Sequence, residues 1–132
     1  MIKGIGHLGI VVKDMEKSLE ALSQIIEFEK PTIKEFPDKR MRCAVVEAKG
    51  VALEFLQDDS DDGFLGRFRR EKGDAIHHFC LHSDNIEEDV EALKKRGVEM
   101  MDQKPRIGLR GKKVAMTMPA VFNGITIELS EP

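Results

Sequence analysis

The stretch GHLGIVVKDMEKSLEAL, residues 6–22, returns in altered form as HHFCLHSDNIEEDVEAL, residues 77–93. A shift of 71 positions aligns the two stretches. The identical pairs are His7 with His78, Glu16 with Glu87, Glu20 with Glu91, Ala21 with Ala92 and Leu22 with Leu93. A repeat of this length usually marks a duplicated supersecondary unit. The chain is therefore predicted to contain two copies of one unit.

Each copy begins with an apolar run typical of a strand and continues into a helix. Asp14 and Asn85 are the predicted N-caps, because a short polar side chain at that position accepts a hydrogen bond from the first helical turn. Apolar residues then recur every three or four positions, as on a buried helix face. The predicted buried residues are Met15, Leu19, Leu22, Ile25 and Ile26 in the first helix and Ile86, Val90 and Leu93 in the second. Gly97 is predicted to end the second helix.

Three strand candidates follow each helix, so each half reads as one strand, one helix and three strands. They cover residues 32–36, 42–47 and 51–56 in the first half and residues 98–103, 113–118 and 125–129 in the second. Phe64, Leu65 and Phe68 are spaced like a short amphipathic helix between the halves. We predict one domain, residues 1–132, with a first module at about 1–58, a connector at about 59–73 and a second module at about 74–132.

The amino-acid composition disfavours several classes of function. The 132 residues are 41% hydrophobic and 34% charged, and the formal net charge is −3. This balance favours a packed globular protein and disfavours nucleic-acid binding as the main task. No apolar run reaches the roughly 18 residues of a membrane span, and no secretory signal pattern is present. Cys43 and Cys80 form no CxxC pair, which is typical of a reducing compartment, so we expect a cytoplasmic protein.

Strand side chains alternate between two faces, and four polar residues fall opposite the apolar set. They are His7, Glu54, His78 and Glu128. Each half thus supplies one imidazole and one carboxylate, a ligand set that suits Co, Ni, Zn or Mn. His77 is expected on the helix-packed face. His82 shares the face of His78 but lies four strand positions away, about 13 Å, which is too far for one coordination sphere.

The sequence resembles the vicinal-oxygen-chelate superfamily, which includes glyoxalases, bleomycin-resistance proteins and dioxygenases, and within it the methylmalonyl-CoA epimerases. The stretches that carry this resemblance are GHLGIVVKDMEKSLEAL, VALEFLQ, GDAIHHFCL, PRIGLRGKKVAM and NGITIELSE. The resemblance implies an α+β fold of two βαβββ modules whose mixed sheet forms a cup around a metal site. It also assigns one divalent ion to His7, Glu54, His78 and Glu128.

The resemblance further implies an isomerase that inverts the 2-carbon of methylmalonyl-CoA or a related acyl-CoA. Proton abstraction would proceed through a metal-stabilised enolate, with Glu128 as ligand and base. In one form of these enzymes a second catalytic carboxylate occupies the position of Cys43, so Cys43 is the candidate second acid/base. The basic residues of PRIGLRGKKVAM are candidates for binding the phosphates of an acyl-CoA; they are Arg106, Arg110, Lys112 and Lys113. A homodimer is also expected.

Two other functions remain open within the same superfamily. A glyoxalase I-like lactoylglutathione lyase uses a similar His/Glu/His/Glu set and similar enediolate chemistry. A drug-binding resistance protein would need no metal and usually stacks its ligand on aromatic rings. This chain has seven Phe and no Trp or Tyr, which makes drug stacking the weaker prediction.

Overall fold

The computed structural model describes residues 1–60 and 62–132. Within them lie three α-helices: α1 (Met15–Ser23), α2 (Phe64–Lys72) and α3 (Ile86–Lys95). The eight strands of the same residues are β1 (Ile2–Val11), β2 (Thr32–Phe36), β3 (Met41–Ala48), β4 (Val51–Asp58), β5 (Ala75–Ser83), β6 (Arg106–Ile107), β7 (Lys113–Met116) and β8 (Thr126–Ser130). No helix in the described part of the chain is long and apolar enough to cross a membrane.

The chain forms two compact units. The first unit comprises Met1–His7 and His78–Pro132, and the second comprises Leu8–His77. In the first unit the strand order is β1-β5-β8-β7-β6, with β5 parallel to β8 and with β7 antiparallel to both of its neighbours. In the second unit the order is β2-β3-β4-β1, with antiparallel pairing of β2 to β3 and of β3 to β4. The predicted α+β class with a mixed sheet is confirmed.

The second unit has an apolar cluster on each face of its strands. Residues Val12, Met15, Ala44, Val46 and Phe55 form one cluster, against which Leu19 and Leu22 of α1 pack. On the other face Val11, Cys43 and Leu56 are covered by Leu65 and Phe68 of α2. Alternate residues of β3 and β4 therefore point to opposite faces, as the sequence predicts.

The first unit has a single cluster, in which α3 packs on its strands. Its buried members are Ile86, Val90, Met100, Ala115 and Leu129, with Leu93 packed against them. The predicted apolar face of this helix is confirmed. Burying such a stripe is the main source of stability for a helix of ten residues, because a helix of this length is marginal in water alone.

Both predicted helix caps are present. The Asp14 carboxylate accepts a hydrogen bond from the backbone N–H of Lys17, and the Asn85 side chain accepts one from the backbone N–H of Glu88. Gly97 follows α3 with φ +83, and its N–H donates to the carbonyl of Lys94. The residue that adopts the left-handed conformation after a helix is usually glycine, so the predicted helix end is also confirmed.

Two sequence-based expectations are wrong. Ile25 is 78% exposed rather than buried, because α1 ends at Ser23 and the chain turns away from the helical path. Phe28 packs against the cluster from farther along the chain. The predicted strand at 98–103 is also missing: only Met100 forms an isolated bridge, to Thr117, and the short strand β6 lies later, at Arg106–Ile107.

The connector contains the predicted amphipathic helix, α2, and His77 packs against it. The His77 ring makes edge-to-face contacts with Phe64 and Phe68, with ring centroids 5.7 and 4.9 Å away. His77 thus packs on the connector helix α2 rather than on the helix of its own module, which strand alternation predicted. Burial, with a smaller contribution from Lys72, lowers the pKa of His77 to about 4.

This shift makes the stability of the protein dependent on pH. His77 binds a proton at a pKa of about 6.5 in the unfolded chain and about 4 in the folded one, so its stabilising contribution is complete above pH 6.5 and is lost as the pH falls to 4. Between pH 7 and 4 the metal-free protein should lose roughly 3 kcal/mol more unfolding free energy than its His77→Phe variant. Urea titrations across this range measure the difference.

The matched control is Lys104→Gln, a change at an exposed side chain of the other unit, which should leave the wild-type slope of stability against pH intact. Parallel stability curves for the wild type and His77→Phe would contradict the assignment of this pH dependence to His77.

Candidate metal centre

Three of the four predicted ligands lie together in the first unit. His7 is at the end of the β1 segment in this unit, His78 is on β5 and Glu128 is on β8. All three are buried, with 2%, 3% and 7% of their surface exposed. Parallel pairing of β5 with β8 sets His78 opposite Thr126 and Cys80 opposite Glu128. Polar side chains buried at neighbouring strand positions need partners, because an uncompensated buried charge is costly.

Donor atoms of His78 and Glu128 each lie close to His7. His7 Nε2 is 3.0 Å from His78 Nε2 and 3.6 Å from Glu128 Oε1. The two rings meet edge to face, with centroids 5.2 Å apart. His7 Nε2 is therefore close both to a second imidazole nitrogen and to a carboxylate oxygen.

The distances fit a divalent cation. With metal–ligand bonds of about 2.0–2.1 Å, neighbouring ligands stand about 2.9 Å apart in an octahedral site and about 3.3 Å apart in a tetrahedral one. The observed 3.0 Å and 3.6 Å lie near these values. Burial is the main factor that lowers the pKa of His7 to about 4, with smaller effects from Arg110 and His82. His7 is therefore a neutral imidazole at pH 7, the form that can donate a lone pair to a metal.

Glu54, the remaining predicted ligand, lies on β4 of the second unit. It is 7% exposed, and its strand neighbours Leu53 and Phe55 belong to the α1-packed side of that unit. Its side chain thus points away from the helix α1, as the alternation of strand residues predicts.

Cys80 is a member of the centre that sequence reasoning did not assign. Donor atoms of His7, Cys80 and Glu128 all lie within 4.8 Å of one another, and Cys80 is completely buried. The signal was available in the sequence, since Cys80 is two positions after His78 and so shares its face. The thiol adds a soft donor to a set otherwise made of nitrogen and oxygen.

His82 lies against the backbone of β1. A Cβ built on Gly6 would lie only 2.3 Å from His82 Nε2, so the ring rests directly against that glycine. A side chain at position 6 would meet the end of this imidazole, so it could fit only if the His82 ring moved aside.

Of the four basic residues predicted to bind phosphates, Arg110 contacts His7 of the candidate metal centre. Its Nη2 lies 3.0 Å from His7 Nδ1. Arg106 pairs with Asp102, Lys113 pairs with Glu87, and Lys112 donates to the carbonyl of Pro132. The four side chains are therefore divided among different partners, and sequence spacing gave no signal for the contact of Arg110 with His7.

A family model confirms the resemblance inferred from the sequence. The model of the glyoxalase/bleomycin resistance protein/dioxygenase superfamily matches residues 6–116. The chain belongs to this superfamily. The match includes both copies of the internal repeat, together with His7, Glu54 and His78.

Relatives of this superfamily member cover nearly its whole length. The uncharacterized protein YqjC of Bacillus subtilis is 30% identical over 97% of this chain and 91% of its own length. The mitochondrial methylmalonyl-CoA epimerase of Mus musculus is 25% identical over 96% of this chain and 72% of its own. Among solved structures, the hypothetical protein BH1468 of Bacillus halodurans superposes with a TM-score of 0.89 at 26% identity, covering 97% of this chain and 93% of that one.

Proposed function

We propose that this protein is a metal-dependent epimerase that inverts the 2-carbon of methylmalonyl-CoA or a related acyl-CoA. The cluster around His7 carries the proposal, because buried His7 Nε2 lies close to an imidazole nitrogen of His78 and to a carboxylate oxygen of Glu128. Similarity to the mouse methylmalonyl-CoA epimerase over 96% of the chain supports an isomerase over other activities of the superfamily.

In this proposal His7, His78 and Glu128 hold one divalent ion together with Glu54. Glu54 is included because the internal repeat supplies one His and one Glu per copy, and because the resemblance assigns it. Co, Ni, Zn and Mn all accept such a nitrogen and oxygen set. When bound, the ion supplies Lewis-acid stabilisation of negative charge on a carbonyl oxygen of the substrate.

Glu128 is the proposed proton acceptor. A carboxylate at the edge of a coordination sphere can take a proton from a carbon held beside it, and positioned bases of this kind contribute about 10²- to 10⁴-fold to rates. Burial of Glu128 excludes bulk water from its surroundings. The carbon between a thioester and a carboxylate is acidic enough for this chemistry once its oxygens are stabilised.

The coenzyme A phosphates are proposed to meet the basic residues of the segment between Pro105 and Met116. Lys113 makes an exposed ion pair with Glu87, whereas the Asp102 that pairs with Arg106 is largely buried. An exposed ion pair contributes little to stability, so a phosphate group can displace Glu87 from Lys113 at small cost. Lys112 is also on the exposed side of this segment.

Two measurements test the function. Elemental analysis of purified protein should find one divalent ion per chain, and incubation with methylmalonyl-CoA in D2O should place deuterium at the 2-carbon of both epimers. Turnover of a glutathione hemithioacetal with no exchange into methylmalonyl-CoA would favour the lyase instead. Absence of both activities and of metal would favour a binding protein.

Cys43 is the proposed second acid/base, since inversion needs a proton carrier on each side of the planar carbon. It lies on β3, 2% exposed, in the apolar cluster with Val11 and Leu56. Cys43→Ala should still exchange deuterium into one epimer through Glu128, while interconversion of the epimers falls by at least about 100-fold.

Following both epimers by chiral chromatography and mass spectrometry separates the two effects. Cys43→Ala removes little volume from an apolar cluster, so the protein should stay folded, and circular dichroism checks this. If the variant interconverts the epimers as fast as the wild type, Cys43 only packs in the cluster.

A further inference from the structure

We propose that Arg110 binds the carboxylate of the acyl group and so selects 2-carboxyacyl thioesters over plain acyl thioesters. This inference rests on the proposed function and moves Arg110 from the phosphate end of the substrate to the reacting end. It starts from one contact, the 3.0 Å between Arg110 Nη2 and His7 Nδ1.

The backbone around Arg110 holds it at the tip of a hairpin. Gly108 N–H donates to the carbonyl of Lys112, and Gly111 N–H donates to the carbonyl of Gly108. Gly111 has φ +79, a left-handed conformation that suits glycine. Arg110 therefore occupies a corner of a tight turn between β6 and β7. The residue is exposed, so a molecule entering from solvent can reach the guanidinium that touches buried His7.

The contact with His7 and metal binding by His7 exclude each other. A guanidinium only donates hydrogen bonds, so His7 Nδ1 accepts and the ring proton resides on Nε2. A nitrogen that carries a proton has no lone pair for a metal. When Nε2 is a ligand, the proton moves to Nδ1, and an N–H then faces the N–H of Arg110. Arg110 must exchange this contact for an acceptor, because two donors repel.

The substrate of the proposed reaction supplies that acceptor. A carboxylate has two oxygens, so one can meet the metal while the other receives N–H groups from Arg110. Planar guanidinium groups pair with carboxylates in two parallel hydrogen bonds, which gives geometric selectivity as well as affinity.

Binding of two non-epimerisable thioesters tests this role without measuring turnover. Malonyl-CoA carries the carboxylate and propionyl-CoA lacks it, while both have the same coenzyme A group. Calorimetry on metal-loaded wild type should give tighter binding of malonyl-CoA. Arg110→Gln should weaken malonyl-CoA binding by about 10- to 100-fold and change propionyl-CoA binding by no more than about twofold. Arg110→Lys should recover part of the lost malonyl-CoA affinity, since an ammonium keeps the positive charge but lacks the two parallel N–H donors of a guanidinium.

Two further variants separate this effect from a general loss of positive charge. Lys104→Gln removes one charge from the same exposed segment and should bind both thioesters like the wild type. Arg106→Gln should weaken both thioesters equally, as expected for a phosphate contact.

Three outcomes would overturn the inference. If Arg110→Gln weakens both thioesters equally, Arg110 acts on the coenzyme A group. If Arg110→Gln keeps the wild-type preference for malonyl-CoA, Arg110 does not bind the substrate carboxylate. The proposed function then stands without this role of Arg110. If metal-loaded wild type binds neither thioester, the inference and the proposed function fail together.

Discussion

His7→Ala and His78→Ala should each lose most of their bound metal. Each substitution removes one of the two imidazoles whose Nε2 atoms lie 3.0 Å apart, and it opens the coordination sphere to water. Changes that affect only the support of a ligand cost about 10- to 100-fold in metal affinity, so losing a ligand should cost at least about 100-fold. Elemental analysis after equilibration with a limiting concentration of Co²⁺ measures the occupancy.

Thermal or urea unfolding gives a second measure of the same loss. At a metal concentration about 100 times its dissociation constant, the wild type should gain about 2.7 kcal/mol of unfolding free energy. A variant with 100-fold weaker affinity should gain only about 0.4 kcal/mol at that concentration.

His82→Ala is the matched control, because His82 lies on the same strand and face as His78 but packs against Gly6. It should bind metal like the wild type. Full metal occupancy in both His7→Ala and His78→Ala would contradict the proposed ligand set.

Glu128→Gln should keep part of its metal and lose nearly all epimerase activity. The amide oxygen can still approach the ion from the position of Oε1, which lies 3.6 Å from His7 Nε2. An amide cannot accept the proton of the substrate, so turnover should fall by about 10²- to 10⁴-fold. The reaction rate and the metal content of the same preparation must be measured together, since loss of metal alone would also reduce turnover.

Glu99→Gln is a suitable control, because Glu99 is an exposed carboxylate of the same unit. It should retain wild-type activity and metal. A fully metal-loaded Glu128→Gln protein with near wild-type turnover would exclude Glu128 as the base and would leave it only as a ligand.

Local sequence patterns predicted the features that depend on neighbouring residues. The caps at Asp14 and Asn85, the helix end at Gly97 and the amphipathic helix α2 are all present. The alternation of strand residues also explains why Cys43 and Ala44 face different apolar clusters. These features follow from hydrogen bonding and periodicity within a few residues, which the sequence contains directly.

Two local predictions were wrong because tertiary contacts outweighed local preference. The three-to-four spacing continued through Ile25, but α1 ends at Ser23, and Phe28 fills the cluster instead. The stretch VEMMDQ at 98–103 was predicted to be a strand, but only Met100 forms a bridge, to Thr117. A strand needs a neighbour with unpaired backbone groups, and its own sequence does not reveal whether one is available.

The sequence by itself determined the repeat, the α+β class and the residues of the metal-ligand set as a prediction, because duplication and alternating faces are visible in one dimension. Only the tertiary structure decided that Cys80 lies among the donor atoms and that Arg110, 103 positions from His7, touches its ring. The physical reason is that side-chain contacts across strands and loops depend on register and turn geometry. Parallel pairing of β5 with β8 sets Cys80 opposite Glu128, and the turn at Gly108–Gly111 directs Arg110 toward His7.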